Sequence, residues 1–250
     1  MSTSETMKPG TVCLVTGASV GIGRAIAESL LARGHRVICV ARNKDKLTAV
    51  FAKYGENALL LSLDVTDGPA VAGFVDSLGP AWREIEVLVA NAGSDVGGRR
   101  RFDQGAMADW ASTMDTNVTG LMRFCHALLP GMLERRRGHI VTLGSIAGLE
   151  TYAGGAVYSA TKYAVRAFTE ALRKDYKQEP IRITEILPGL VRTGFAEARF
   201  KGDADKAATY YDSFPAALAA EDIAAAVIFA LEQPPQVNIG QIVVTPTGDK

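Results

Sequence analysis

The chain has 250 residues, 48% hydrophobic and 22% charged, enough apolar material for one large core. Lys plus Arg and Asp plus Glu are both 27, and the zero net charge excludes a general polyanion binder, so no nucleic-acid partner is expected. No apolar run reaches the ~20 residues of a membrane span, and Met1 to Gly10 lack the apolar core of a secretory signal, so a cytoplasmic location with no membrane partner is expected.

In chain order, Val12 to Thr16 reads as a buried strand. Gly17-Ala18-Ser19-Val20-Gly21-Ile22-Gly23 follows at once, and Arg24 to Ala32 continues at helical spacing. Strand, glycine turn and helix in that order let a backbone approach a pyrophosphate, with free N–H groups and a positive dipole end at the helix start. The spacing G-x-x-x-G-x-G in this setting predicts a dinucleotide site. Arg36 to Val40 reads as a second strand, followed by Ala41-Arg42-Asn43-Lys44. A site that prefers NAD places an acid about here for the ribose 2′-hydroxyl. Arginine instead can clamp a 2′-phosphate with two hydrogen bonds. NADP(H) is therefore the expected cofactor, with Arg42 as main phosphate contact and Asn43 or Lys44 assisting.

Lys44 to Tyr54 reads as a helix, Ala58 to Leu63 as a third strand, Val71 to Leu78 as a helix and Glu86 to Ala90 as a fourth strand. Asp64, ahead of Val65, can face an adenine amino group or cap the following turn, as can Asp67. Asn91-Ala92-Gly93 leaves the fourth strand in a tight turn. Strands alternating with helices predict a parallel sheet with ligands at its carboxyl ends. Ser94 to Asp103, with Arg99, Arg100 and Arg101, reads as a rim loop. A long helix is expected over Ala108 to Arg136, broken or ended near Pro130, with Asn117 inside it although asparagine is a poor helix former.

His139 to Leu143 reads as the fifth strand, ending at Gly144-Ser145, and Arg182 to Leu187 as the sixth, ending at Pro188-Gly189. Leu190 to Pro215 is long and aromatic, the pattern of a substrate lid. Glu221 to Glu232 reads as a helix and Gln241 to Val244 as the last strand. No linker or repeat divides the chain, so one domain over 1–250 is expected, with residues 1–10 flexible. Cys13 and Cys39 lie in strand-like runs and read as core residues. The histidines His35, His126 and His139 have no ligand spacing, so no metal is expected.

Tyr158 and Lys162 stand one helical turn apart on one face. A free phenol titrates near pH ~10. A neighbouring ammonium favours the phenolate and lowers that value, which predicts a proton donor and acceptor.

Together, Thr16 to Gly23, Asp64-Val65, Asn91-Ala92-Gly93, Asn117, Ser145, Tyr158-Ser159-Ala160-Thr161-Lys162 and Pro188-Gly189 resemble the short-chain dehydrogenase/reductase family over nearly the whole chain. Leu129-Pro130-Gly131-Met132, Tyr152 to Gly155 and Arg199-Phe200-Lys201-Gly202-Asp203 are similar to its NADP-dependent 3-hydroxy acid (serine) dehydrogenase branch. The chain departs from that branch at Arg42-Asn43, where two basic residues are usual, and around Arg192-Thr193-Gly194. The resemblance implies a doubly wound, seven-stranded Rossmann domain that moves a hydride between NADP and a small alcohol or carbonyl substrate. In it Tyr158 would exchange the proton, Ser145 would stabilise the substrate oxygen, and Lys162 would tune Tyr158 and hold the nicotinamide ribose. Asn117 would hold a water leading from Lys162 to solvent. The cofactor would lie against Gly17, Ser19, Gly21, Ile22, Gly23, Arg42, Asn43, Asp64, Val65, Asn91, Ala92, Gly93, Tyr158, Lys162, Pro188, Gly189 and Thr193. A homotetramer through the two long helices is implied as well. Arg192 and Arg99 to Arg101 make a basic rim that suits a carboxylate substrate, a 3-hydroxy acid or its semialdehyde. Two alternatives stand beside this: a 3-oxoacyl-[acyl-carrier-protein] reductase, and a non-catalytic NADP-binding sensor, which would not need Asn117, Ser145, Tyr158 and Lys162 together.

Overall fold

β-branched and aliphatic runs bounded by turns become strands when helices cover both faces, and they are then apolar at every position rather than at alternate ones. Val12–Thr16 (β1) is such a run, buried throughout. In the computed structural model, which describes residues 7–214 and 216–248, it is joined by Arg36–Ala41 (β2), Ala58–Ser62 (β3), Ile85–Ala90 (β4), Gly138–Leu143 (β5), Ile181–Pro188 (β6) and Gln241–Val244 (β7). All neighbours pair in parallel, in the order β3-β2-β1-β4-β5-β6-β7.

Alternate side chains enter two separate cores. Cys13, Val15, Val37 and Cys39 face Gly21–Ala32 (α1), Lys44–Phe51 (α2) and the late helix Ala220–Leu231. Leu14, Ile38, Val40 and Leu88 face Gly68–Ser77 (α3), Gly120–Glu134 and Ala156–Asp175. Numbered in chain order, Met107–Met114 is α4, Gly120–Glu134 is α5 and Ala156–Asp175 is α6, while Phe195–Arg199 is α7, Ala204–Asp212 is α8 and Ala220–Leu231 is α9. Burying a Leu, Ile or Phe contributes about 1.5–3 kcal/mol each, so the two cores, with Phe51, Ile26 and Leu30 on one side and Phe124, Leu88 and Met132 on the other, dominate the fold. Connections leave β1 toward β2 on one side, and β4 lies on the other, which opens a crevice at their carboxyl ends. No helix among the described residues is long and apolar enough to cross a membrane.

Several expectations shift. The first helix starts at Gly21, not Arg24, so the glycines themselves form its N-terminus. The second helix ends at Phe51 and tightens into a 3-10 turn over Ala52–Asn57, where Gly55 takes a positive φ of 55°. The long helix is not interrupted at Pro130, which sits inside α5. A proline there loses one backbone bond, but Leu128, Leu129 and Met132 are buried around it, and their packing offsets the loss. The irregularity lies earlier, in a π turn over Asp115–Thr119 between α4 and α5, and Asn117 is inside it. Residues 7–10 are tied down: Gly10 N–H donates to the Gly34 carbonyl at 2.8 Å, and Met7 packs on the first core. Residues 1–6 and Pro215, the end of the expected lid, lie outside the described residues.

Candidate active site

The turn after β1 is shaped by three glycines. Gly17 and Gly21 take positive φ of 67° and 54°, which L side chains avoid. A Cβ on Gly23 would overlap the Asn91 side chain and the Gly17 carbonyl. Val20, at the N-cap of α1, offers no side-chain hydrogen bond, so the N–H groups of the helix start stay uncapped and point out of the turn. That cradle of bare N–H groups and missing side chains fits a pyrophosphate. Ala18 N–H donates to the Val40 carbonyl at 3.0 Å, which fixes the turn against β2. Ser19 is partly exposed beside it, and Ile22 packs inward on the first core.

Thr16 closes the crevice floor. Its Oγ1 accepts from the N–H groups of Asn91 and Ala92, both at 3.0 Å, while Asn91 Nδ2 donates to the Thr16 carbonyl at 2.9 Å. The sequence motif contains Thr16, but its spacing alone assigns it no role.

Arg42 stands exposed where β2 ends, with no hydrogen bond or ion pair to its guanidinium among the described residues. Asn43 is otherwise employed: its Oδ1 accepts from Lys46 N–H at 2.9 Å and caps α2. Of the two roles open to Asp64, the turn is the one observed, since its Oδ1 accepts from the Thr66 N–H and hydroxyl, each at 2.9 Å. Asp67 caps α3 in the same way. Val65 is a packing residue, 8% exposed and pressed on Gly120.

The other end of the crevice holds the reactive side chains. Ser145 ends β5, where its Oγ accepts from Ala147 N–H at 3.1 Å and lies 3.5 Å from the Pro188 carbonyl at the end of β6. Gly189 N–H donates to the Val244 carbonyl at 2.7 Å and aligns β6 with β7. Tyr158 and Lys162 stand on α6, as their spacing predicts. Lys162 is 7% exposed, and its Nζ donates to the Leu143 carbonyl at 2.8 Å and lies 5.6 Å from the centroid of the Tyr158 ring. Asn117 sits below: its Oδ1 accepts from Ser94 N–H at 2.7 Å, and its Nδ2 donates to the Ser94 carbonyl at 2.8 Å and to Thr161 Oγ1 at 3.0 Å. The side-chain amide is thus a strut between the loop after β4 and α6.

The electrostatics correct the simplest expectation for the pair. Burial pushes the Tyr158 phenol well above its ordinary value; Arg199 and a hydrogen bond with Ser145 pull it down, while Tyr152 and Asp95 raise it. Lys162 is not what lowers it. Burial instead brings the Lys162 ammonium down to about 8, against the pull of Glu185 and Asp95. Desolvation wins over a single cation whose charge is partly spent on the Leu143 carbonyl.

The segment 190–214 is not an open loop but two short helices, α7 and α8. Its ends meet where Arg192 N–H donates to the Leu218 carbonyl and Leu218 N–H to the Leu190 carbonyl, both at 2.9 Å. From α8, Tyr211 Oη pins the turn that leads from β6 into α7, donating to the Thr193 carbonyl at 2.8 Å and accepting from Thr193 N–H at 3.1 Å. Thr193 reaches the glycine turn, because a Cβ on Gly21 would come within 3.1 Å of the Thr193 Cβ. A cavity of about 400 Å³ opens between Gly21, Thr193, Gly194 and Ala219.

Two residues of this centre have no role assigned by the sequence, although Arg199 opens one of the motifs that resemble the 3-hydroxy acid dehydrogenase branch. Arg199, ending α7, is 4% exposed, and its Nε lies 2.7 Å from Asp95 Oδ2 in the loop after β4. Burial raises the Asp95 carboxyl, and Arg199 lowers it. The sequence signals are Asp95 standing just past Asn91-Ala92-Gly93 and Arg199 flanked by Ala198 and Phe200.

Comparison with known proteins agrees with this geometry. The family model described as short chain dehydrogenase matches residues 11–204. The NADP-dependent 3-hydroxy acid dehydrogenase of Salmonella typhi is 43% identical over 236 residues, 94% of each chain. That of Schizosaccharomyces pombe is 39% identical over 244 residues, covering 95% of this chain and 93% of its own. Among solved structures, the closed form of serine dehydrogenase complexed with NADP+ superposes with a TM-score of 0.93 at 39% identity, covering 96% of both chains.

Proposed function

The chain belongs to the short-chain dehydrogenase family, and on that premise we propose that it is an NADP-dependent oxidoreductase acting on small 3-hydroxy acids or the corresponding carbonyl compounds. The observation that carries the reading is the convergence of Ser145, Tyr158 and Lys162 at the carboxyl ends of the strands, across the crevice from a glycine turn that fits a pyrophosphate. The bound nicotinamide supplies or accepts the hydride. In reduction Tyr158 gives its proton to the carbonyl oxygen, and in oxidation it takes one back. A phenol raised by burial stays protonated until charge develops on the substrate oxygen, which favours donation. Ser145, close enough to Tyr158 to lower its phenol, steadies the charge growing on that oxygen. Lys162 keeps further N–H groups free of the Leu143 carbonyl for the ribose hydroxyls. Asn117 positions Lys162 and Tyr158 by tying Thr161, one residue before Lys162, to the loop after β4. Arg42 meets the 2′-phosphate, and Thr193 the nicotinamide amide.

The segment 190–214 serves as the substrate lid. We further place the enzyme in the cytoplasm as a homotetramer packed through α4 and α6, supported by exposed Met107, Met114 and Tyr163 and an apolar hollow of about 310 Å³ between Trp110 and Val157. A panel of semialdehydes, keto acids and neutral ketones, followed by NADPH oxidation, tests the reading. Turnover of the acids and semialdehydes ahead of neutral ketones is expected, and comparable rates on all would remove the 3-hydroxy acid assignment.

A further inference from the structure

The four arginines of the basic rim are exposed, and three of them are already engaged. Arg99 lies over the Tyr152 ring at 4.2 Å, Arg101 pairs with Asp103 at 3.1 Å, and Arg192 lies over the Tyr211 ring at 4.9 Å. Arg199 is different. Its guanidinium carbon is 5.8 Å from the Tyr158 ring centroid, 5.3 Å from that of Phe195 and 4.9 Å from that of Tyr210. Asp95 Oδ2 meets its Nε at 2.7 Å, yet Nη1, fully buried, has no hydrogen-bond partner among the described residues. Leaving a buried charged donor unmatched is costly, and native proteins rarely do so without a ligand or water to meet it.

The surrounding charge points the same way. Asp95 feels Arg199, Arg99 and Lys162 together, three cations on one carboxylate. A second carboxylate would complete the set, and aromatic walls from Tyr152, Tyr158, Phe195 and Tyr210 would shield the pairing from water.

We infer that Arg199 is the specificity-determining residue of this enzyme, receiving the carboxylate of a 3-hydroxy acid on its unmatched Nη1 while Asp95 holds Nε. The inference rests on the oxidoreductase reading above and names the group that selects within it. In a 3-hydroxy acid one carbon separates the carbinol from the carboxylate, which suits an arginine standing beside the Tyr158 ring.

The test compares a short 3-hydroxy acid with its methyl ester, following NADPH formation by wild type, Arg199→Gln and Arg199→Lys. Wild type is expected to favour the acid. Arg199→Gln should lower the preference for acid over ester in kcat/KM about 100-fold, the loss expected for a charge-assisted contact, beyond any loss that both substrates share through Tyr158. Arg199→Lys, which keeps the charge without the fork, should fall between. Parallel losses on acid and ester would overturn the inference and leave Arg199 a lid strut. Should melting show that Arg199→Gln does not fold, wild type alone decides. A saturated short-chain carboxylate should compete with the acid where its amide does not, and equal inhibition by the two would overturn the inference. Wild type oxidising ester as readily as acid would sink the role of Arg199 but spare the oxidoreductase reading; no NADPH formation with either would sink that reading itself.

Discussion

At the β1–β4 end of the crevice the site is made of backbone. Gly17, Gly21 and Gly23 are local in sequence, and Thr16 and Asn91 lock two adjacent strands beneath them. At the lid end it is made of side chains brought from distant parts of the chain: Asp95 after β4, Tyr152 and Tyr158 at α6, Arg199 on α7. The lid's own core has only Ala196, Ala207 and Tyr211 fully buried, against the large clusters under the glycine turn. A segment with little buried apolar surface opens more easily than the sheet it covers. On the proposed function, the difference assigns cofactor binding to the well-packed floor and substrate selection to the more thinly packed segment above it.

Equivalent changes at the two ends should therefore diverge. Gly23→Ala drives a methyl into Asn91 and the Gly17 carbonyl. It should cost about 1–3 kcal/mol and weaken NADPH binding, read by melting and fluorescence titration. Gly194→Ala in the lid meets no heavy atom within 4 Å and should leave both within error. Equal effects at the two positions would erase the contrast.

Lys162 links the two ends through pH. Its ammonium is brought down to about 8 by burial, from an ordinary 10.5. Between those values the unfolded chain holds a proton that the folded chain has lost, so this residue makes stability rise with pH across that window and cost most below it. The swing is on the order of 3 kcal/mol. Denaturant titrations at pH 7.5 to 10.5 should show the wild-type curve rising relative to Lys162→Met, and parallel curves would contradict the burial account.

Two neighbours at the end of β2 separate next. Arg42→Asp should cost NADPH on the order of 100-fold in affinity and shift preference toward NADH, by loss of a charge-assisted clamp and addition of a repelling acid. Asn43→Ala should lose about 1 kcal/mol of stability with the α2 cap and leave the NADPH to NADH ratio unchanged. A ratio unmoved by Arg42→Asp would remove the phosphate assignment.

What the sequence made legible follows the same division. Strands, the glycine turn and the Tyr158–Lys162 spacing are local patterns, and each stands within a residue or a turn of where its pattern puts it. The π turn at Asn117 was read as plain helix, because its cause is tertiary: Asn117 is pulled toward Ser94 and Thr161. Asp95 and Arg199 form no spacing at all, since a pair closed by the fold leaves no period in the chain. The direction of the Tyr158 shift was missed for a related reason. Neighbouring charge can be inferred from spacing, but burial depends on the walls, and those come from α7 and Tyr152.

The central claim is that Tyr158 moves the proton while the floor holds the cofactor. Removing its hydroxyl tests this directly. Tyr158→Phe should lower NADPH consumption with an accepted carbonyl substrate by roughly 100- to 10,000-fold while binding NADPH as tightly as wild type. NADPH consumption at the wild-type rate would contradict the account.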